Sequence, residues 1–383
     1  MRYNNQSILW MLTTVILLVS HLTLSGQEVK WNINSNIQPP NTGDQQTASL
    51  VADFDNDGVE EFVITERTAS PSVVWYDYNG NTWERRIIDK QPLHIEAGGA
   101  CLDIDDDGDT DFVFGGDYKS NEIWWWENPY PDYSDEWTRH TIKNFGENKH
   151  HDQLFGDFDH DGKQELVSWN QGASKLLLFE IPRDPGIHEV WEHAVIYKGN
   201  SRDEGLVKTD INLDGKTDIV GAGKWFEHIE GKQFKPHVID PEMNFTRSAA
   251  AQLVKGSYPE ILLTPGDANG HAKWYAYRNN QWIAHTLDSV THGHTVYIRD
   301  INRDGNQDIF IGEMGDPGAG DKARIMIWYG NGHGSFDQEI IRTGQGIHEG
   351  RLGYLNDDKT LDILVKPYSH KAPKLEVMTG SLQ

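Results

Sequence analysis

The feature that most constrains this chain is one short acidic loop written five times. The copies are Asp53-Phe-Asp55-Asn-Asp57-Gly58 closed by Glu61, Asp103-Ile-Asp105-Asp-Asp107-Gly108 closed by Asp111, and Asp157-Phe-Asp159-His-Asp161-Gly162 closed by Glu165. The others are Asp210-Ile-Asn212-Leu-Asp214-Gly215 with Asp218, and Asp300-Ile-Asn302-Arg-Asp304-Gly305 with Asp308. After each comes an apolar run such as Phe62–Ile64, then a Trp-rich stretch such as Trp75-Tyr76, then a stretch such as Trp83–Ile88 that starts aromatic and ends aliphatic. Four short strands recurring every ~40–55 residues read as blades, since so small a unit must stack on its neighbours to bury its faces. Two decayed copies complete the set: Ala250–Leu263 has lost the Asp triplet, and Arg351–Val365 keeps Tyr354, Asn356 and Asp358 at the loop positions. The expectation is an all-β, seven-bladed β-propeller with four-stranded blades. The last copy has Leu375–Met378 for a third strand and little chain for a fourth, whereas Val29–Ile37 is a strand without a blade. Pairing the two closes the ring and makes residues 28–383 one domain.

The 37 glycines signal tight turns, and no stretch after residue 27 keeps helical apolar spacing for three turns. Residues 1–27 carry Arg2, an apolar run from Ile8 to Leu24, and small Ser25 and Gly26. They read as a signal peptide, so the expected location is secreted or periplasmic, with no membrane attachment after cleavage. Cys101 is the single cysteine, so no internal disulfide can form, and core and metal ions must hold an exported fold. A formal net charge of −25 disfavours nucleic acid as a partner. The chain is expected to act as a monomer.

Oxygen ligands on alternate residues of a tight turn, closed by a carboxylate from the next strand, suit Ca²⁺ better than Mg²⁺ or Zn²⁺. All five loops are expected to hold structural Ca²⁺. The loops and blade pattern resemble FG-GAP/VCBS repeat propellers over essentially the whole chain after residue 27. That resemblance implies fold and calcium, and leaves function open, because such propellers serve adhesion, lectin-like binding and catalysis alike.

The segment before each Asp loop is expected to be the innermost strand, lining a central channel. Six residues before the first loop position stand His151, Glu204, Thr246, His294 and His348, and the second blade offers His94 or Glu96. Imidazoles from several blades at one level read as a site for proton transfer or for a divalent metal such as Zn²⁺. Arg247 and Arg351 beside them could neutralise an anionic ligand. No Gly-x-Ser-x-Gly elbow or phosphate loop is present, and His with Arg fits β-elimination better than the paired carboxylates of a glycosidase.

The motifs "HHDQLFGDFDHDG", "HGHTVYIRDINRDG" and "IHEGRLGYLNDDKTLDILVKPY" resemble those of propeller carbohydrate lyases and dehydratases. These include the propeller of the fungal aldos-2-ulose dehydratase and proteins encoded beside polysaccharide-degrading enzymes in marine bacteria. The resemblance implies a dehydratase acting on uronic-acid oligosaccharides such as those of ulvan. In it His151, His294 and His348 serve as base, acid or metal ligands and His94 supports them, while Arg247, Arg351, Glu96 and Glu204 are, from their channel positions, the expected substrate-binding residues. The rival readings are a polysaccharide lyase of the same chemistry, a carbohydrate-binding propeller that stacks sugars on rows such as Trp124–Trp126, and an adhesion scaffold.

Overall fold

The computed structural model describes residues 26–134, 136–188, 190–243 and 245–383. Almost all of the expected signal peptide lies outside the described residues. The rest forms seven separate antiparallel sheets of four strands each. The first blade shows the plan: Ser49–Ala52, Glu61–Thr65, Val73–Tyr78 and Trp83–Asp89, hydrogen-bonded in chain order. First strands of neighbouring blades touch one another, so they surround the axis.

The apolar runs follow from this stacking. Successive side chains of a strand point to opposite faces, and each face of a blade meets another blade. Val63 and Trp75 pack with Phe112 and Trp126 of the second blade. Phe62 and Tyr76 face the other way, onto Leu355 and Leu364 of the seventh. A strand covered on both faces must be apolar throughout, as Glu61–Thr65 and Asp111–Gly115 are between their terminal residues. Each such large side chain stabilises the fold by roughly 1.5–3 kcal/mol.

Trp124, Trp125 and Trp126 are all buried in this packing. They offer no face to a sugar. The outer-strand histidines lie over neighbouring aromatic rings, His140 on Trp125 and His285 on Trp274 at 4.4 and 3.9 Å between ring centres.

In the seventh blade Val29–Asn34 pairs antiparallel with Glu376–Leu382, which in turn pairs with Asp362–Val365. The first strand stops three residues before Ile37, and its partner runs four residues beyond Met378. Among the described residues no helix is long and apolar enough to cross a membrane.

Candidate functional site

The Asp loops lie at the ends of the inner strands and share one backbone shape. Their fourth and sixth residues take positive φ, as Asn56 (56°) and Gly58 (91°) do in the first loop and Leu213 (58°) and Gly215 (85°) in the fourth. In the seventh blade Lys359, at 61°, stands in the glycine's place. The ninth residue brackets the turn. Glu61 accepts from the Phe54 amide at 2.6 Å, and Asp308 from that of Ile301 at 2.8 Å. Glu260 and Asp362 do the same for Leu253 and Leu355, in the two blades without the triplet. The bracket is therefore independent of the acidic triplet.

In three loops the carboxylates also converge. The oxygens of Asp53, Asp55, Asp57 and Glu61 lie within 4.8 Å of one another, as do those of Asp157, Asp159, Asp161 and Glu165, and those of Asp103, Asp105 and Asp111. Asp107 falls outside its group. The loops of Asp210, Asp214 and Asp218 and of Asp300, Asp304 and Asp308 carry Asn212 and Asn302 at the middle position, and so one carboxylate fewer. Asp105 Oδ1, Asp157 Oδ1 and Glu165 Oε1 are buried without hydrogen-bond partners. Hard, crowded, partly unpartnered oxygens fit Ca²⁺.

The channel is built differently. Backbone bulges at His151/Gln153 and Gly293/Thr295 interrupt the inner strands. Asp152 and Glu349 take positive φ (51° and 50°). Such bulges re-aim side chains, and at the fifth residue before the loop Asp152, Arg247 and Glu349 meet across the axis. Arg247 Nη1 donates to Asp152 at 2.7 Å, and Nη2 lies 2.8 Å from Glu349. The equivalent residue in the second blade is Gly98 (φ 113°), where a Cβ would come within 2.5 Å of the Asp152 Cα. His151 Nδ1 sits 2.9 Å from Asp152, with Nε2 3.7 Å from Glu204. His294 Nε2 accepts from Arg247 at 2.8 Å, and the His294 ring stacks on His348 at 4.0 Å. Arg351 donates to Glu349 at 3.0 Å and to the Tyr297 hydroxyl at 3.2 Å. A cavity of ≈ 160 Å³ adjoins this cluster, lined by Asp152, Arg247, His294, Tyr297, Glu349 and Arg351 among others.

An FG-GAP-like repeat model matches residues 103–168 and 300–365. The chain carries FG-GAP-like repeats. No curated protein matches its sequence. Among solved structures it is similar to BBS1N, from a complex with ARL6DN, at 10% identity over 92% of this chain and 97% of that chain, with a TM-score of 0.55. It is also similar to the V. cholerae biofilm matrix protein Bap1 (11% identity, 92% and 70% covered, TM-score 0.43) and to rhamnogalacturonan lyase YesW (11%, 87% and 71%, TM-score 0.49). At such identity the likeness to BBS1N is one of fold alone.

Within this propeller the expected channel residues divide. His294, Arg247 and Arg351 line the cavity, whereas His151, His348, Glu204 and Glu96 are buried beside it. His94 stands apart with a 38% exposed side chain, 3.8 Å from Asp117. Glu96 pairs with Arg67 at 2.5 Å. Sequence reading passed over Asp152, Tyr297 and Lys366. The first was within reach, because Asp152 and Glu349 follow His151 and His348 at the same loop offset.

Burial disfavours a charged His151, yet Glu204 and Asp152 outweigh it and push the imidazole up to about 9. Burial, then Arg247, hold His294 well below the usual range, and burial, then Lys366, do so for His348. Burial raises Glu204. One channel thus holds an imidazolium and two neutral imidazoles. Zn²⁺ does not fit the histidines. Arginine can only donate, so Arg247 occupies the His294 Nε2 lone pair, and Lys366 Nζ stands 3.4 Å from His348 Nδ1. Among the described residues no His group converges as the Asp loops do.

Proposed function

We propose that this propeller is a carbohydrate-active carbon–oxygen lyase, and in its sharpest form a dehydratase that removes water from uronic-acid ends of oligosaccharides such as those of ulvan. The observation that carries the reading is the convergence of His294, Arg247 and Arg351 on one small cavity. At ≈ 160 Å³ the cavity offers on the order of ten water-sized positions, the scale of a chain end rather than its middle. Arg351, with a 19% exposed side chain, is the more accessible guanidinium for a uronate carboxylate. A cation there stabilises the enolate-like charge that develops as the C5 proton leaves. His294 forms part of the wall. His151 and His348 stand behind it and fix the charge of Asp152 and the setting of His294, and His94, apart beside Asp117, serves as support. Glu204 and Glu96 hold His151 and Arg67 rather than sugar. Secretion or periplasmic residence, a monomeric state and an anionic oligosaccharide partner belong to the same proposal.

A non-catalytic carbohydrate-binding propeller is the second reading, favoured by one fact: Asp152 and Glu349 already match the charge of Arg247. Purified protein is incubated with ulvan-derived uronic-acid oligosaccharides and followed by near-ultraviolet absorbance and mass spectrometry. New absorbance with loss of one water supports the dehydratase. The same absorbance with shortened chains means a polysaccharide lyase. Binding without either change sinks the catalytic reading.

A further inference from the structure

An elimination needs a group at the cavity that can take and give a proton, and the histidines are poorly placed for it. His151 and His348 are absent from the cavity wall. His294 is on the wall, but Arg247 donates to its Nε2 at 2.8 Å. An imidazole whose Nε2 lone pair is occupied by an obligate donor carries its proton on Nδ1. It cannot accept a proton at Nε2 while that bond lasts. The wall carboxylates of Asp152 and Glu349 are bound to Arg247, and Glu349 to Arg351 as well.

Of the wall hydroxyls that remain, on Ser248, Thr295 and Tyr297, that of Tyr297 is the one held by a guanidinium. Tyr297 comes from the same inner strand as His294, Gly293–Arg299, and lines the same cavity. Its ring is set by packing against Phe310, 6.4 Å away between centres. Its hydroxyl accepts from Arg351 Nη1 and donates to the Gly350 carbonyl, both at 3.2 Å. A permanent cation on the hydroxyl oxygen stabilises negative charge there during a transfer.

We infer that Tyr297 is the proton-transfer residue of this cavity, with Arg351 as its partner, an inference that rests on the elimination reading. The Tyr297 oxygen takes the C5 proton as its own proton passes to the departing C4 hydroxyl. The C5–H electrons form the C4–C5 double bond, the C4–O bond breaks, water leaves, and the phenol is restored. No oxidant or other co-reactant is consumed.

The test measures kcat and KM for wild type, Tyr297→Phe and Arg351→Lys on the ulvan-derived uronic-acid oligosaccharides. Wild-type folding of each variant is checked by its melt. Tyr297→Phe is expected to lower kcat by ~10²-fold or more, the usual yield of general acid–base help, and to leave KM nearly unchanged. Arg351→Lys is expected to show a smaller loss in kcat. Should Tyr297→Phe turn over within ~3-fold of wild type, far inside that range, Tyr297 is not the carrier, although the protein remains a lyase. A wild type that eliminates nothing overturns the function itself, and this inference with it.

Discussion

The Asp-loop face and the channel are built on the same inner strands, and they treat charge in opposite ways. On the loop face one sign is concentrated and repeated: carboxylates crowd within 4.8 Å of one another in three blades. In the channel the signs alternate without repetition, from Asp152 to Arg247 to Glu349 to Arg351, each residue from a different blade except the last two. The first arrangement suits an external cation, and the second supplies its own. What a blade repeats serves the fold; what it does not repeat is where a ligand can be distinguished.

The largest effect expected from this contrast is metal dependence confined to the loop face. Several Ca²⁺ sites at a hundredfold excess over Kd contribute about 2.7 kcal/mol each, so chelation should lower Tm by roughly 10 °C or more. Added Ca²⁺ should restore it and Mg²⁺ should not, because the small ion demands tighter octahedral geometry. An unchanged melt in chelator would show that the acidic loops stand without metal.

Next in size is the loss of one channel cation. Arg247→Ala leaves Asp152 and Glu349 buried without their shared partner, and breaking such a pair costs about 3–5 kcal/mol. Lys163→Ala removes a cation beside Asp161 on the loop face, where the lysine side chain is 77% exposed, and should cost less than ~1 kcal/mol. Denaturant titration of both variants decides it. Equal, small losses would mean that the channel charges are solvated in practice.

The same contrast explains what the sequence disclosed. Loop, strand and Trp stretches recur, so register, blade number and inner-strand position could be read by counting. His151, His294 and His348 came from that same count and do lie in the channel. What escaped was set by backbone bulges and by contacts between blades. Counting places a side chain at a level, but the bulge at His151/Gln153 decides that Asp152 joins Arg247. Nothing local to Tyr297 announces that an arginine from the next blade reaches its hydroxyl. Likewise the alternate reading of Trp124–Trp126 as a sugar platform needed the neighbouring blade to be answered.

A finer test separates the two duties of the loop itself. Glu260 closes a loop without an Asp triplet and accepts from the amides of Leu253 and Val254 at 2.8 and 3.0 Å. Glu260→Ala leaves those donors unpaired, a cost of about 1–3 kcal/mol. The loss should be the same with Ca²⁺ or chelator, whereas that of Asp55→Ala should vanish in chelator. A calcium-dependent loss at Glu260 would refute the bracket role.

The smallest effect concerns the channel imidazolium. Asp152 and Glu204 face His151 and Arg247 lies beyond Asp152, and the balance raises His151 from 6.5 to about 9. A folded-state pKa above the unfolded one means that the native protein holds the extra proton. The stability this gives is fully present below pH 6.5 and is lost as pH rises through about 9. Across that window the native state releases the proton, which leaves Glu204 without its imidazolium and Asp152 with Arg247 alone. His151→Gln should flatten the decline in denaturation midpoint over the same pH range. If the His151→Gln slope matches wild type, the imidazole is neutral at working pH, and the channel holds no standing acid.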